Sequence, residues 1–190
     1  MFLDLETTGL DHKADIILEM GMVLTDRELN VLATWGETVN WPEIEYNMYE
    51  QTYEPPFGVH DEVVKMHHKN GLWQDSYRSN KTLEDVIASA SFWAGQQLFD
   101  ADGKVPLCGN TIGFDIRFLY EADEKFVDLF QYRSVDVSSH KLCYIDWVLD
   151  GPEDRPVEPL PVGNKLHRAV PDCLDSVAEM AFYKRKLYCD

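Results

Sequence analysis

An α/β fold with a mixed sheet is predicted for this chain by three features of its sequence. Apolar runs at 2–5, 16–24 and 31–39 are separated by short polar stretches, the pattern of an antiparallel three-stranded meander. Helical spacing then takes over in the stretches that follow residue 60. Between the helical stretches stands a short apolar strand, 105–108, which runs straight into another helical pattern. With 190 residues and 45% hydrophobic content the chain can bury a good core, and one domain over 1–190 is expected.

The first strand carries the most informative pair. Phe2, Leu3 and Leu5 read as buried, and side-chain alternation then puts Asp4 and Glu6 on one face. Two carboxylates inside an apolar strand repel each other, and burying them is expensive unless protons or a hard divalent cation offset the charge. A half-solvated edge strand would show the same Asp-x-Glu pattern. Thr7, Thr8 and Gly9 form the turn that leaves the strand. The second run contains Glu19 and Gly21, and Thr25-Asp26-Arg27-Glu28 connects it to the third. From Trp41 to Val59 the chain is acidic and aromatic with Pro55-Pro56, which reads as a long irregular connection. Asp61 to Asn70 has helical spacing with Gly71 as its stop. Thr82 opens a stronger helix, with Asp85 as capping-box partner and Leu83, Val86, Ile87, Ala90, Trp93 and Leu98 on a core-facing stripe.

After the strand at 105–108, Gly109-Asn110-Thr111-Ile112-Gly113-Phe114-Asp115 leads into a helix, so Asp115 sits at a strand-to-helix junction. Sites in α/β folds collect at such junctions, although an acidic residue that complements a helix dipole looks the same. Ser134 to Val137 reads as a further strand, Ser138 as an N-cap and Lys141 to Leu149 as a helix. Asp150 to Asn164 is an acidic loop rich in Pro and Gly. The last helix is expected to open at Pro171 and to end at the cationic Lys184-Arg185-Lys186. His167 lies on the loop before it and Asp172 on its first turn.

Charge narrows the function classes. Seventeen basic against 34 acidic side chains give a formal charge of -17, which excludes a basic track for a long polyanion. If the substrate carries phosphate, metal ions and a few placed cations must hold it, which favours short substrates or chain ends. No apolar run reaches the length of a membrane span, and a strand that starts at Met1 leaves no room for a signal peptide, so a cytoplasmic protein is expected. Cys108, Cys143, Cys173 and Cys189 are widely spaced and read as small hydrophobes rather than as a disulfide framework or zinc site.

Together, Asp4-x-Glu6, Asp115 after Gly-Asn-x-x-Gly, and His167-x-x-x-x-Asp172 resemble the DEDDh exonucleases of the ribonuclease H-like superfamily, and within them the oligoribonucleases. The likeness extends over nearly the whole chain: Thr8-Gly9-Leu10-Asp11, Thr25-Asp26 with Leu29-Asn30-Val31-Leu32, His67 ahead of Gly71-Leu72, Tyr132-Arg133 with Asp136-Val137-Ser138, and Ser176-Val177-Ala178-Glu179. Thr111 and Phe114 stand where that family usually has Ser and Gln, the 41–59 connection looks longer, and the helix around Lys141 lacks the arginines often found there.

The resemblance implies a ribonuclease H-like sheet with flanking helices and a metal-dependent 3′-to-5′ exoribonuclease that releases nucleoside 5′-monophosphates from short single-stranded RNA. A DNA-directed or broader 3′ exonuclease, or a non-catalytic module that binds nucleotide ends, are the alternatives. It also implies two divalent ions, Mg²⁺ or Mn²⁺. Asp4 would bridge them, Glu6 and Asp172 would complete one, and Asp115 would serve the other, while His167 would take the proton of the attacking water. Leu10 would wedge against the terminal base, and His67, Thr111, Arg133 and Ser138 would contact sugar and phosphate. A homodimer is implied as well, with Tyr132 stacking on the base in the partner's site. The neighbouring Phe126, Val127, Leu129 and Phe130 fit either that interface or the core.

Overall fold

The computed structural model describes residues 1–149 and 166–188; the acidic loop expected at 150–164 lies outside them. The meander forms as expected from β1 (Phe2–Thr7), β2 (Ile17–Thr25) and β3 (Val31–Thr38), antiparallel throughout. The 41–59 connection is not irregular: it holds a hairpin, β4 (Glu45–Asn47) and β5 (Thr52–Glu54), whose cross-strand pair Tyr46 and Tyr53 stacks at 4.9 Å between ring centroids. Asn47 Oδ1 closes the hairpin turn by accepting from the amides of Tyr49 and Glu50.

Helix α1 (Asp61–Asn70) ends at Gly71, whose φ of 77° is open to glycine at little cost. That residue also launches an unanticipated helix, α2 (Leu72–Arg78), and buries Leu72 and Trp73 with Leu18 and Ile44 in a small core of their own. Helix α3 (Leu83–Gln97) carries the full reciprocal capping box of Thr82 and Asp85.

The chain then adds β6 (Pro106–Gly109), α4 (Gly113–Val127), β7 (Gln131–Asp136), α5 (Val137–Trp147) and α6 (Ala169–Tyr188). Strands β6 and β7 are parallel to β1, giving the sheet order β3-β2-β1-β6-β7. Two local expectations are corrected here and one open alternative is settled. The N-cap of α5 is Asp136, whose carboxylate accepts from Ser138 N, so Ser138 lies inside the helix. Helix α6 starts at Ala169 instead of Pro171, which its first turn tolerates because an N–H there has no intrahelical partner. Phe126, Val127 and Phe130 are buried in the main core, because α4 must seal one face of the sheet, and only Leu129 of that patch is exposed.

The sheet has a helical layer on each face. Leu3, Leu5, Met20 and Met22 meet α3 and α4, whereas Phe2, Val23 and Cys108 meet α5 and α6. Alternation therefore turns Asp4 and Glu6 toward the α6 side. Helix α6 sits unusually close there: a Cβ on Gly21 would come within 2.5 Å of the Ala169 backbone, and one on Gly36 within 2.5 Å of Val170. Only bare backbone on both strands admits the first turn of α6, and that turn carries Asp172. No helix among the described residues is long and apolar enough to cross a membrane.

Candidate active site

Three segments distant in sequence converge at the end of β1: the strand itself, the first turn of α4, and residues 166–172. Glu6 is buried on the strand, and one donor atom each from Glu6, His167 and Asp172 lie within 4.8 Å of one another. Asp4 is half-buried on the same strand face.

Asp115 is almost fully enclosed, and its Oδ1 accepts from Leu5 N at 3.0 Å. The pairing of β1 with β6 has its Cα partners at Phe2 and Cys108, so the carboxylate takes over an amide further along the strand. Asp115 thereby locks α4 against the strand that carries Asp4 and Glu6.

The electrostatics of this cluster are those of an overcharged pocket. Burial first, then the charges of Asp172 and Glu19, push the Glu6 carboxyl up to about 8, with Arg168 opposing. Burial likewise raises Asp115 to about 7, against the pull of the Leu5 amide. The Cys173 thiol beneath them is driven well up by burial and by the charges of Asp4, Asp115 and Asp172. Carboxylates gathered this closely, joined by one imidazole, fit hard divalent cations such as Mg²⁺ or Mn²⁺ and suit no soft-metal site.

A pH signature follows for the metal-free protein. Both carboxyls have folded-state values above their ordinary ones, so their contribution to stability is complete below the ordinary values of 4.5 and 3.8. It is lost as pH rises through about 8 for Glu6 and about 7 for Asp115. The melting temperature in EDTA is expected to fall by several degrees between roughly pH 5 and pH 8.5. Added Mn²⁺ should restore it most at the alkaline end, where these carboxyls have lost their protons. A melting temperature in EDTA that stays flat over this range would contradict the arrangement.

Apart from His67, the remaining predicted residues divide into three groups. Leu10 is 84% exposed at the tip of the turn after β1, held there by Asp15, which accepts from Thr8 Oγ1 and Asp11 N. Thr111, at φ 54°, and Ser138 meet through their hydroxyls at 3.1 Å, and Asp136 accepts from both of their amides. Tyr132 is 83% exposed with the Arg133 guanidinium 4.3 Å above its ring, both on the edge strand β7 two strands from β1. The structure does not bring these two to the carboxylates.

His67 differs from its expected role at sugar or phosphate. It is fully buried beside Trp73, its Nε2 bonded to Thr7 O and its Nδ1 to the Asn70 amide. Burial lowers its pKa. Those partners call for the neutral ring with the proton on Nε2, which leaves no ring nitrogen for a substrate. Glu19, Asn70 and Arg168 were passed over in sequence. The one available signal was Glu19, an acid inside an otherwise apolar strand.

A carboxylate cluster at the end of the central strand of this sheet, with a histidine on the loop before the last helix, defines an exonuclease of the ribonuclease H-like class. The exonuclease family RNase_T matches residues 1–180, and the chain belongs to it. Its relatives include the oligoribonuclease of Xylella fastidiosa, 34% identical with 98% of this chain and 88% of the relative covered. That of Shewanella frigidimarina is 33% identical, with 99% and 94% covered. Among solved structures, zinc-bound E. coli exonuclease I with single-stranded DNA superposes with a TM-score of 0.63 at 16% identity. The match covers 98% of this chain and only 40% of that one. S. pombe Pop2p with bound Mg²⁺ and Mn²⁺ gives 0.59 at 15% identity, with 98% and 83% covered. These two likenesses concern the fold.

Proposed function

We propose that this chain, as a single domain, is a metal-dependent 3′-to-5′ exoribonuclease that removes nucleoside 5′-monophosphates from short RNA, a reading in keeping with relatives named oligoribonucleases. The observation that carries the reading is the meeting of Glu6, His167 and Asp172 donor atoms within 4.8 Å on the face that also bears Asp4. Asp4, Glu6, Asp115 and Asp172 would hold two divalent ions, Mg²⁺ or Mn²⁺, whose charge offsets that of the attacked phosphoryl group and leaving oxygen. His167 accepts the proton of the attacking water. Leu10, exposed at the rim, wedges against the terminal base, and Thr111 and Ser138 present their hydroxyls to sugar or phosphate.

The formal charge of -17 limits how much polyanion the surface tolerates. Substrates of two to five nucleotides are therefore expected to be degraded much faster than a twenty-mer, RNA ahead of DNA, and only with Mg²⁺ or Mn²⁺ present. Time courses on end-labelled RNA and DNA of those lengths check all three points. Digestion of the long RNA at a rate comparable to the short ones overturns the length reading, and turnover in EDTA overturns the metal reading.

We place the protein in the cytoplasm, in keeping with the free thiols of Cys108, Cys143 and Cys173. Fractionation that finds it elsewhere removes that assignment. A homodimer is supported by the exposed Tyr132 under Arg133 on an edge strand, where a twofold partner would receive both side chains. Sedimentation as a monomer at working concentration removes that part of the reading.

A further inference from the structure

Beyond the carboxylates, Arg168, the residue between His167 and the last helix, is held by bonds from all three of its guanidinium nitrogens. Its Nε lies 3.1 Å from both Glu19 oxygens, and one terminal nitrogen, Nη2, lies 2.7 Å from Glu19 Oε1. The other, Nη1, reaches Asp75 at 2.8 Å and the Asn70 carbonyl at 3.3 Å. Glu19 is buried and also accepts from Ala169 N at 2.8 Å, so it grips the chain on both sides of the Arg168 carbonyl.

This grip lies next to an unusual backbone. His167 has φ 50°, in the left-handed region that a non-glycine residue occupies at a cost unless its surroundings hold it. Its carbonyl is capped by the Asn70 side-chain amide, and the same amide nitrogen meets His67 Nδ1. His67 Nε2 in turn donates to the carbonyl of Thr7, the residue that follows Glu6. Glu19 stands directly opposite Glu6 in the β1–β2 register. The contacts thus close a ring: Glu6 and Thr7 to His67, to Asn70, to His167 and Arg168, to Glu19, and back across the sheet to Glu6.

The geometry points to Arg168 and Glu19 as positioning residues that hold His167 in its left-handed conformation, with the imidazole over Glu6 and Asp172. The pair acts through the histidine. It also explains how Glu19 remains buried beside Glu6, since like charges opposite each other in a sheet destabilise it unless one is neutralised. The planar guanidinium is needed because one group must meet Glu19 with two nitrogens while a third reaches Asp75 and Asn70, which a lysine ammonium does not reproduce. This inference rests on the reading of His167 as the base.

The test is steady-state kinetics on a dinucleotide RNA with Mn²⁺. Removing only one partner would strand a buried charge, so the main variant is the pair Glu19→Gln with Arg168→Met. A base displaced by about 1 Å loses roughly 10²-fold in rate, and the pair is expected to lose about that in kcat. KM and Mn²⁺ affinity, the latter by calorimetry, should stay within about threefold. In a His167→Asn background the same pair should change kcat by less than about threefold, because its effect passes through the missing imidazole.

Arg168→Lys keeps the charge next to Glu19 and secures the fold. It should lose about tenfold in kcat, again only when His167 is present, and it decides the matter if the pair variant fails to fold. Unchanged kcat, equal losses in both backgrounds, or lost Mn²⁺ affinity would each overturn the positioning role. Should His167→Asn alone turn over at the wild-type rate, the base reading fails. A slow His167→Asn enzyme beside a fully active pair variant refutes the clamp alone.

Discussion

Asp172→Asn and Asp4→Asn are each expected to abolish measurable turnover and Mn²⁺ binding while the protein stays folded. Both changes keep the size of the side chain, and the charge lost at Asp172 is one that pushes the Glu6 carboxyl up. Losing a carboxylate that holds a catalytic ion forfeits about 4 kcal/mol or more of transition-state stabilisation, roughly 10³-fold in rate. Asp115 needs different handling. Its Oδ1 satisfies Leu5 N, so Asp115→Ala would leave a buried amide unpaired at a cost of about 1–3 kcal/mol and confuse folding with chemistry. Asp115→Asn keeps an oxygen for that amide and should be equally inactive. Calorimetric titration with Mn²⁺ beside activity on a dinucleotide checks the set, and a folded Asp172→Asn enzyme that retains turnover and Mn²⁺ affinity defeats the assignment.

The second large effect is at His167. Because the residue has φ 50°, alanine would relax the loop as well as delete the ring, whereas asparagine tolerates that conformation. His167→Asn should therefore lose about 10²–10⁴-fold in kcat with Mn²⁺ affinity retained, the magnitude of general-base catalysis. The His167 nitrogen lies as close to Glu6 and Asp172 as a ligand would. Affinity for Mn²⁺ that falls in step with kcat would make it a ligand and not the base.

How far these residues were legible varies along the chain, for physical reasons. Asp4 and Glu6 were placed on one face by alternation alone, because strand stereochemistry leaves no other arrangement. Gly71 and the Thr82–Asp85 capping box marked helix ends that the structure reproduces, since caps are chemistry within four residues. The β4–β5 hairpin and α2 left no comparable signal. Each is short, and both pack around a small core that includes Leu18 of β2, far away in sequence. The aromatic patch at 126–130 was ambiguous because an apolar face looks the same whether a sheet or another protein covers it; here the sheet does.

The sequence by itself determined which chemical groups were available and how neighbours on one strand or helix are oriented, since backbone geometry imposes both locally. Tertiary structure alone decided that His67 is sealed inside, bonded to Thr7 and Asn70, where it supports the site without lining it. It alone decided that Arg168 reaches across 149 positions to Glu19, which sits opposite Glu6. The closeness of those partners depends on glycine backbone at Gly21 and Gly36 letting α6 settle onto the sheet, a packing event between segments that no local window of sequence contains.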